Sequence, residues 1–147
     1  MITPRLSAPI LLVEDNEGHR FLIREQLRAG GLANELVELP DGQAALDYLY
    51  RRGAYRSAAR ARRPGLILLD INMPKVDGFA VLEQVKRTPA LQVIPIFMLT
   101  STDDQREINR CYALGANSYI VKPIRSEQFQ ARMQALGTFL GIARFPG

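Results

Sequence analysis

Four short apolar segments of this chain each run into a residue that can do chemistry. Ile10–Val13 leads to Glu14 and Asp15, Leu66–Leu69 to Asp70, Ile96–Leu99 to Thr100, and Tyr119–Val121 to Lys122 and Pro123. Runs this short and apolar read as buried strands, and the stretches between them are long enough for helices. Strands alternating with helices predict an α/β fold, a parallel sheet covered on both faces. The carboxyl ends of neighbouring parallel strands lie along one edge, where open α/β sheets place their chemistry. Three carboxylates, a hydroxyl and an ammonium are therefore expected at one rim, a set suited to a metal-dependent phosphoryl site.

The pattern predicts strands at about 10–14, 34–39, 66–70, 94–100 and 118–121. The first helix, about 17–29, carries Leu22, Ile23, Gln26 and Leu27 on one stripe and stops at Gly30-Gly31. The second starts near Asp41 with Ala45, Leu46 and Leu49 inward. The third spans Phe79 to Arg87 and ends at Thr88-Pro89. Ser101 to Asp104 supply the caps and acids of a fourth helix bearing Ile108, Cys111 and Tyr112. The last is expected from Ser126 to Leu140, with Phe129, Met133, Leu136 and Leu140 at helical spacing. The second strand alternates like an edge strand, the third is apolar throughout like a central one, and one domain accounts for residues 1–147.

A chain with 47% hydrophobic and 23% charged residues is globular rather than disordered. No apolar run approaches the ~20 residues a bilayer requires, and no signal-peptide core precedes the first strand. One cysteine, Cys111, excludes an internal disulfide and a multi-cysteine metal site. A cytoplasmic protein is expected. The net charge of +4 is local, because Arg51, Arg52, Arg56, Arg60, Arg62 and Arg63 fall in one stretch without an acid. Without that stretch the remainder is slightly acidic, so a solvated charged insert is favoured over a nucleic-acid site. Residues 53–63 either extend the second helix or form a long loop.

Adjacent buried carboxylates repel one another, and burial raises their pKa. A cation resolves the conflict, and an oxygen-only donor set favours Mg²⁺ or Mn²⁺. Lys122 supplies a point charge for a carboxylate or a phosphate oxygen, and a cis Lys122–Pro123 bond would aim it inward. Thr100 at its strand end is placed to donate to a phosphoryl oxygen. Tyr119 reads equally as a half-buried aromatic or a switching residue. His19 reads as a solvated helix residue, and a lone histidine supports neither zinc nor a proton relay. Cys111 reads as a small packing residue.

Glu14-Asp15, Asp70 with Met73-Pro74 and Asp77-Gly78, Thr100, Tyr119 and Lys122-Pro123, in this order and spacing, resemble the receiver domain of two-component response regulators. The similarity covers about residues 9–142. It implies a flavodoxin-like three-layer sandwich, with five strands in the order 2-1-3-4-5 and five helices. It also implies that Asp70 is a phosphoacceptor for a sensor histidine kinase. Asp15, Asp70 and the Asn72 carbonyl would bind Mg²⁺ directly and Glu14 through water. Lys122 and Thr100 would contact the phosphoryl group, and Thr100 with Tyr119 would form a switch pair. The arginine-bearing stretch and the turn Asp70-Ile71-Asn72-Met73-Pro74 resemble the small regulators paired with bacterial phytochromes. That group implies a homodimer through the face of helix four, strand five and helix five, with which the apolar tail 139–145 is compatible.

Three other readings compete. A haloacid-dehalogenase-type phosphohydrolase also uses a strand-end aspartate, but needs a second aspartate where this chain has Asn72. A flavin module would want a hydroxyl- and glycine-rich loop where Glu14-Asp15 would repel phosphate. A transcription factor needs a DNA-binding domain, which the roughly two dozen residues after Pro123 leave no room for. Output is therefore expected through protein contact, through onward phosphate transfer, or through service as a phosphate sink.

Overall fold

A computed structural model describes residues 8–57, 59 and 61–136. Five strands, β1 (Ile10–Val13), β2 (Leu36–Leu39), β3 (Leu66–Asp70), β4 (Ile96–Thr100) and β5 (Ser118–Val121), alternate with five helices. These are α1 (Glu17–Ala29), α2 (Gly42–Leu49), α3 (Gly78–Lys86), α4 (Gln105–Ala113) and α5 (Ser126–Leu136). All strand pairs are parallel and the order is β2-β1-β3-β4-β5, with β3 central and β2 at an edge as the sequence predicts.

Residues alternate between the two faces of the sheet, so each strand feeds two cores. Leu11, Val13, Ile67, Leu69, Ile96 and Met98 pack with Ala45, Leu46 and Leu49 of α2, Val81, Leu82 and Val85 of α3, and Cys111 of α4. Ile10, Leu12, Leu66, Leu68, Phe97 and Leu99 face Ile23 and Leu27 of α1 and Phe129 of α5. Phe97 and Phe129 meet edge-on with ring centroids 6.1 Å apart, which docks α5 on the sheet. Among the described residues no helix is long and apolar enough to cross a membrane.

The first three helices each start at a polar cap. Asn16, Asp41 and Asp77 accept from the amides of His19, Ala44 and Ala80 at 2.8–2.9 Å. At Gly78 the chain passes so close to β3 that a Cβ would lie 2.2 Å from the Asp70 carbonyl oxygen. Only glycine permits that approach, and it ties the start of α3 to the end of β3.

Several expectations change. Leu22 is 53% exposed rather than part of the buried stripe, because the inward face of α1 is narrow and carries Ile23 and Leu27. β2 starts at Leu36 instead of residue 34, where the buried Asn34 side chain donates to the Ala8 carbonyl at 2.7 Å. β4 starts at Ile96, since Pro95 has no amide proton for the ladder and Asn117 Oδ1 accepts from the Ile96 amide at 2.9 Å. After α2 the chain forms a 3₁₀ turn at Gly53–Tyr55 and loops back, so the second helix is not extended. The last helix is described to Leu136, and the expected extension to Leu140 and the tail 139–145 lie outside the described residues.

Candidate functional site

The strand registers align the expected residues. Val13 pairs with Leu69, Asp70 with Leu99, and Thr100 with Val121, so the residues that follow β1, β3, β4 and β5 share one rim. Glu14, Asp15 and Asp70 each bring a carboxylate oxygen within 4.8 Å of the others. Glu14 and Asp70 are buried, whereas Asp15 is exposed at the mouth. The Lys122 ammonium reaches in from the β5–α5 turn, where the Lys122–Pro123 bond is cis. It hydrogen-bonds Glu14 Oε1 and lies 3.1 Å from Asp70 Oδ1.

Lys122 does not balance the acids evenly. Burial pushes Glu14 up, but the Lys122 hydrogen bond, the Asn16 amide at 3.2 Å and the Lys122 charge outweigh it and leave Glu14 below the usual range. For Asp70, burial dominates; Lys122 opposes it, the Glu14 charge adds to it, and the carboxyl is pushed up to about 7. Burial pulls Lys122 down, yet its bonds and charge interactions with Glu14 and Asp70 prevail and raise it. A pocket whose second buried carboxylate cannot readily ionise beside one lysine has room, electrostatically, for a divalent cation. Its donors are all oxygens, which fits Mg²⁺ or Mn²⁺ rather than a softer ion.

The remaining expected residues stand farther out. Asn72 is exposed on the loop two positions beyond Asp70. Thr100 is 1% exposed, but its hydroxyl is engaged elsewhere: Glu107 Oε2 of α4 lies 2.8 Å away and the Thr102 carbonyl 3.0 Å away. Tyr119 is half-buried, edge-on to Tyr112 of α4 at 5.9 Å and beneath the Arg132 guanidinium of α5 at 5.1 Å. The structure thus gathers the acids and Lys122, and keeps Thr100 and Tyr119 on the α4 side.

Sequence reasoning missed two neighbours. His19 is not merely solvated: its half-exposed ring places Nδ1 3.4 Å from Lys122 Nζ and 3.5 Å from Glu14 Oε1. Its position in the first turn of a helix starting two residues after Asp15 was the available signal. Glu107 carried only a helix-start signal. Beside the rim a groove of about 300 Å³ opens between α1 and the β5–α5 turn, lined by His19, Leu22, Ile23, Ser101 and Lys122.

Comparisons with known proteins agree with this geometry. The response regulator receiver domain matches residues 10–134, and the chain belongs to that family. It is 44% identical, with a TM-score of 0.81, to the bacteriophytochrome response regulator AtBRR, covering 91% of this chain and 94% of that one. It is 36% identical to the response regulator Rcp1 of Synechocystis, over 88% of this chain and 86% of the relative. The Mn²⁺-bound structure of Rcp1 superposes with a TM-score of 0.74, covering 95% of this chain and 99% of that one. A probable methanogenesis regulatory protein, FilR2 of Methanothrix harundinacea, is 39% identical over 94% of this chain and 87% of its own length. Proteins of this family are signalling proteins rather than classical enzymes, and the hydrolase alternative gains no support.

Proposed function

We propose that Asp70 accepts a phosphoryl group from a histidine kinase, the kind of partner that receiver membership implies. The observation carrying this reading is the buried Asp70 carboxyl held between Lys122 and a second carboxylate, Glu14. An Asp70 oxygen attacks phosphorus in line, an O–P bond forms, and the P–N bond of the donor phosphohistidine breaks with the electron pair leaving on the imidazole. Catalysis is positioning and charge neutralisation. A divalent cation held by Asp15, Asp70 and the Asn72 carbonyl, with Glu14 acting through water, would neutralise charge between carboxylate and phosphoryl oxygens. Lys122 takes a further share of that charge from its place beside Asp70.

The product carries about two extra negative charges and three strong acceptors. Lys122 and the Thr100 hydroxyl are the donors at hand, and movement of Thr100 opens space for Tyr119, coupling the rim to the face of α4, β5 and α5. Output passes through that face by protein contact, including association of two copies of the chain. Likeness to the bacteriophytochrome response regulators AtBRR and RtBRR supports a phytochrome-type kinase as the donor. The groove between α1 and Lys122 gives a donor side chain an approach to the rim.

The test is phosphotransfer from purified kinases or acetyl phosphate with Mg²⁺. Wild type is expected to label and Asp70→Asn to remain unlabelled. Full labelling of the variant would place the acceptor elsewhere.

A further inference from the structure

We infer that Glu107 is a positioning residue that restrains the switch in the resting protein, holding the Thr100 hydroxyl on the α4 side until Asp70 is phosphorylated. The inference rests on the phosphoacceptor reading above and goes beyond it, because it assigns the resting state a specific bond that must break.

Glu107 sits three residues after Asp104, the N-cap of α4. In that arrangement the N3 glutamate usually turns back to accept from the N-cap amide. Here the Asp104 amide donates to Thr102 Oγ1 at 3.1 Å, and Asp104 Oδ1 accepts from the Arg106 amide at 2.9 Å. The helix start is therefore satisfied without Glu107. Its carboxylate is released from capping and takes the Thr100 hydroxyl at 2.8 Å instead.

A hydroxyl has one proton. The Thr102 amide already donates to Thr100 Oγ1 at 3.1 Å, so the hydroxyl is satisfied as acceptor and as donor where it now lies. Of the two acceptors in reach, the carboxylate of Glu107 is stronger than the Thr102 carbonyl. To donate to a phosphoryl oxygen on Asp70, Thr100 must withdraw its proton from Glu107. The charge-assisted bond thereby counts against the switched state and sets part of the gap between the two packings.

The same helix braces the other half of the pair. Tyr112, one turn further along α4, packs edge-on against Tyr119 at 5.9 Å. Ile108 and Cys111 between them are buried and anchor the helix on the sheet. One rigid element thus contacts both Thr100 and Tyr119, and a shift that frees one loosens the other.

The test uses the full chain with beryllofluoride and Mg²⁺ as the probe of the switched state. Glu107→Ala is expected to bind beryllofluoride several-fold tighter than wild type, because the hydroxyl keeps only the weaker Thr102 carbonyl as its resting acceptor. Its free-state Thr100 and Tyr119 amide resonances are expected to shift toward their beryllofluoride-bound positions. Glu107→Gln, which keeps an acceptor oxygen, is expected to stay closer to wild type. In a Thr100→Val background the Glu107→Ala effect is expected to vanish. Glu107→Met, similar in length but without an acceptor, repeats the comparison should alanine disturb the helix. A folded Glu107→Ala or Glu107→Met protein with unchanged affinity would overturn the inference, as would a gain that persists in Thr100→Val. Wild type that fails to bind beryllofluoride, with Asp70→Asn behaving identically, would remove the phosphoacceptor reading and this one with it.

Discussion

Lys122 Nζ lies 3.1 Å from Asp70 Oδ1 while hydrogen-bonding Glu14 Oε1, so two buried carboxylates share one ammonium. The sharing is unequal, with Glu14 held below its usual range and Asp70 pushed up to about 7. The resting site is therefore short of positive charge. This shortage makes the rim both receptive to a divalent cation and costly to the fold.

Asp70→Asn is expected to stabilise the metal-free protein, and the pH dependence has a definite sign. The folded pKa of about 7 lies above the ordinary 3.8, so the folded protein holds that proton more tightly than the unfolded chain. The associated stability is fully present below about pH 3.8 and lost as pH rises through about 7. The variant escapes that loss. Its advantage in thermal unfolding is expected to be near zero at pH 4 and to level off above pH 7, on the order of 1–3 kcal/mol. Saturating Mg²⁺ is expected to shrink the difference by stabilising wild type. A constant difference across the pH range would show that Asp70 does not titrate as described.

Removing the shared cation has the opposite effect. Lys122→Met keeps the alkyl stem but leaves Glu14 and Asp70 facing each other without the ammonium they share. Metal-free stability at pH 8 is expected to fall by on the order of 2–3 kcal/mol. Most of that loss is expected to disappear at pH 4, where the carboxyls take up protons. An equal loss at both pH values would assign the cost to packing rather than charge.

The legible part of this site was the part that local sequence determines. Apolar runs of three or four residues set the strand ends, and parallel register then brought Glu14, Asp70, Thr100 and Lys122 to one rim. What stayed hidden depended on side-chain direction across elements. Thr100 Oγ1 points to Glu107 because the α4 cap is satisfied by other groups, a competition no spacing reveals. His19 meets Lys122 across 103 residues of chain. The exposure of Leu22 followed from the narrow inward face of α1, although its apolar character predicted burial.

Gly78→Ala tests how tightly the switch rim is tied to α3. The added Cβ would meet the Asp70 carbonyl oxygen at 2.2 Å, where backbone cannot yield cheaply. A loss of about 2–3 kcal/mol in denaturant unfolding is expected. Because the strain falls on the Asp70 backbone, Mg²⁺ affinity by titration calorimetry is expected to weaken in the same variant. Unchanged metal affinity with lowered stability would mean that α3 relaxes without moving the carboxylate.

The arginine-rich stretch yields the last expectation. Arg51 Nε donates to the Ala61 carbonyl at 3.2 Å, and Arg63 Nη1 donates to the Leu49 carbonyl at 3.1 Å. Tyr48 Oη donates to the Arg62 carbonyl at 2.8 Å, Arg62 pairs with Glu35 at 3.7 Å, and Arg52 pairs with Asp47 at 3.5 Å. These guanidiniums tie the loop to α2, to its own returning segment and to Glu35 just before β2, rather than forming a uniformly solvated run. Arg56 is exposed just after the 3₁₀ turn. Trypsin at low ratio is expected to cut after Arg56 well before Arg51, because cleavage requires a backbone that can leave its contacts. Arg63→Ala removes the tie to the end of α2 and is expected to accelerate cleavage after Arg56 several-fold, with global unfolding lowered by only about 1 kcal/mol. Mass spectrometry of early fragments checks both points, and first cleavage at Arg51 in wild type would contradict the fastening described.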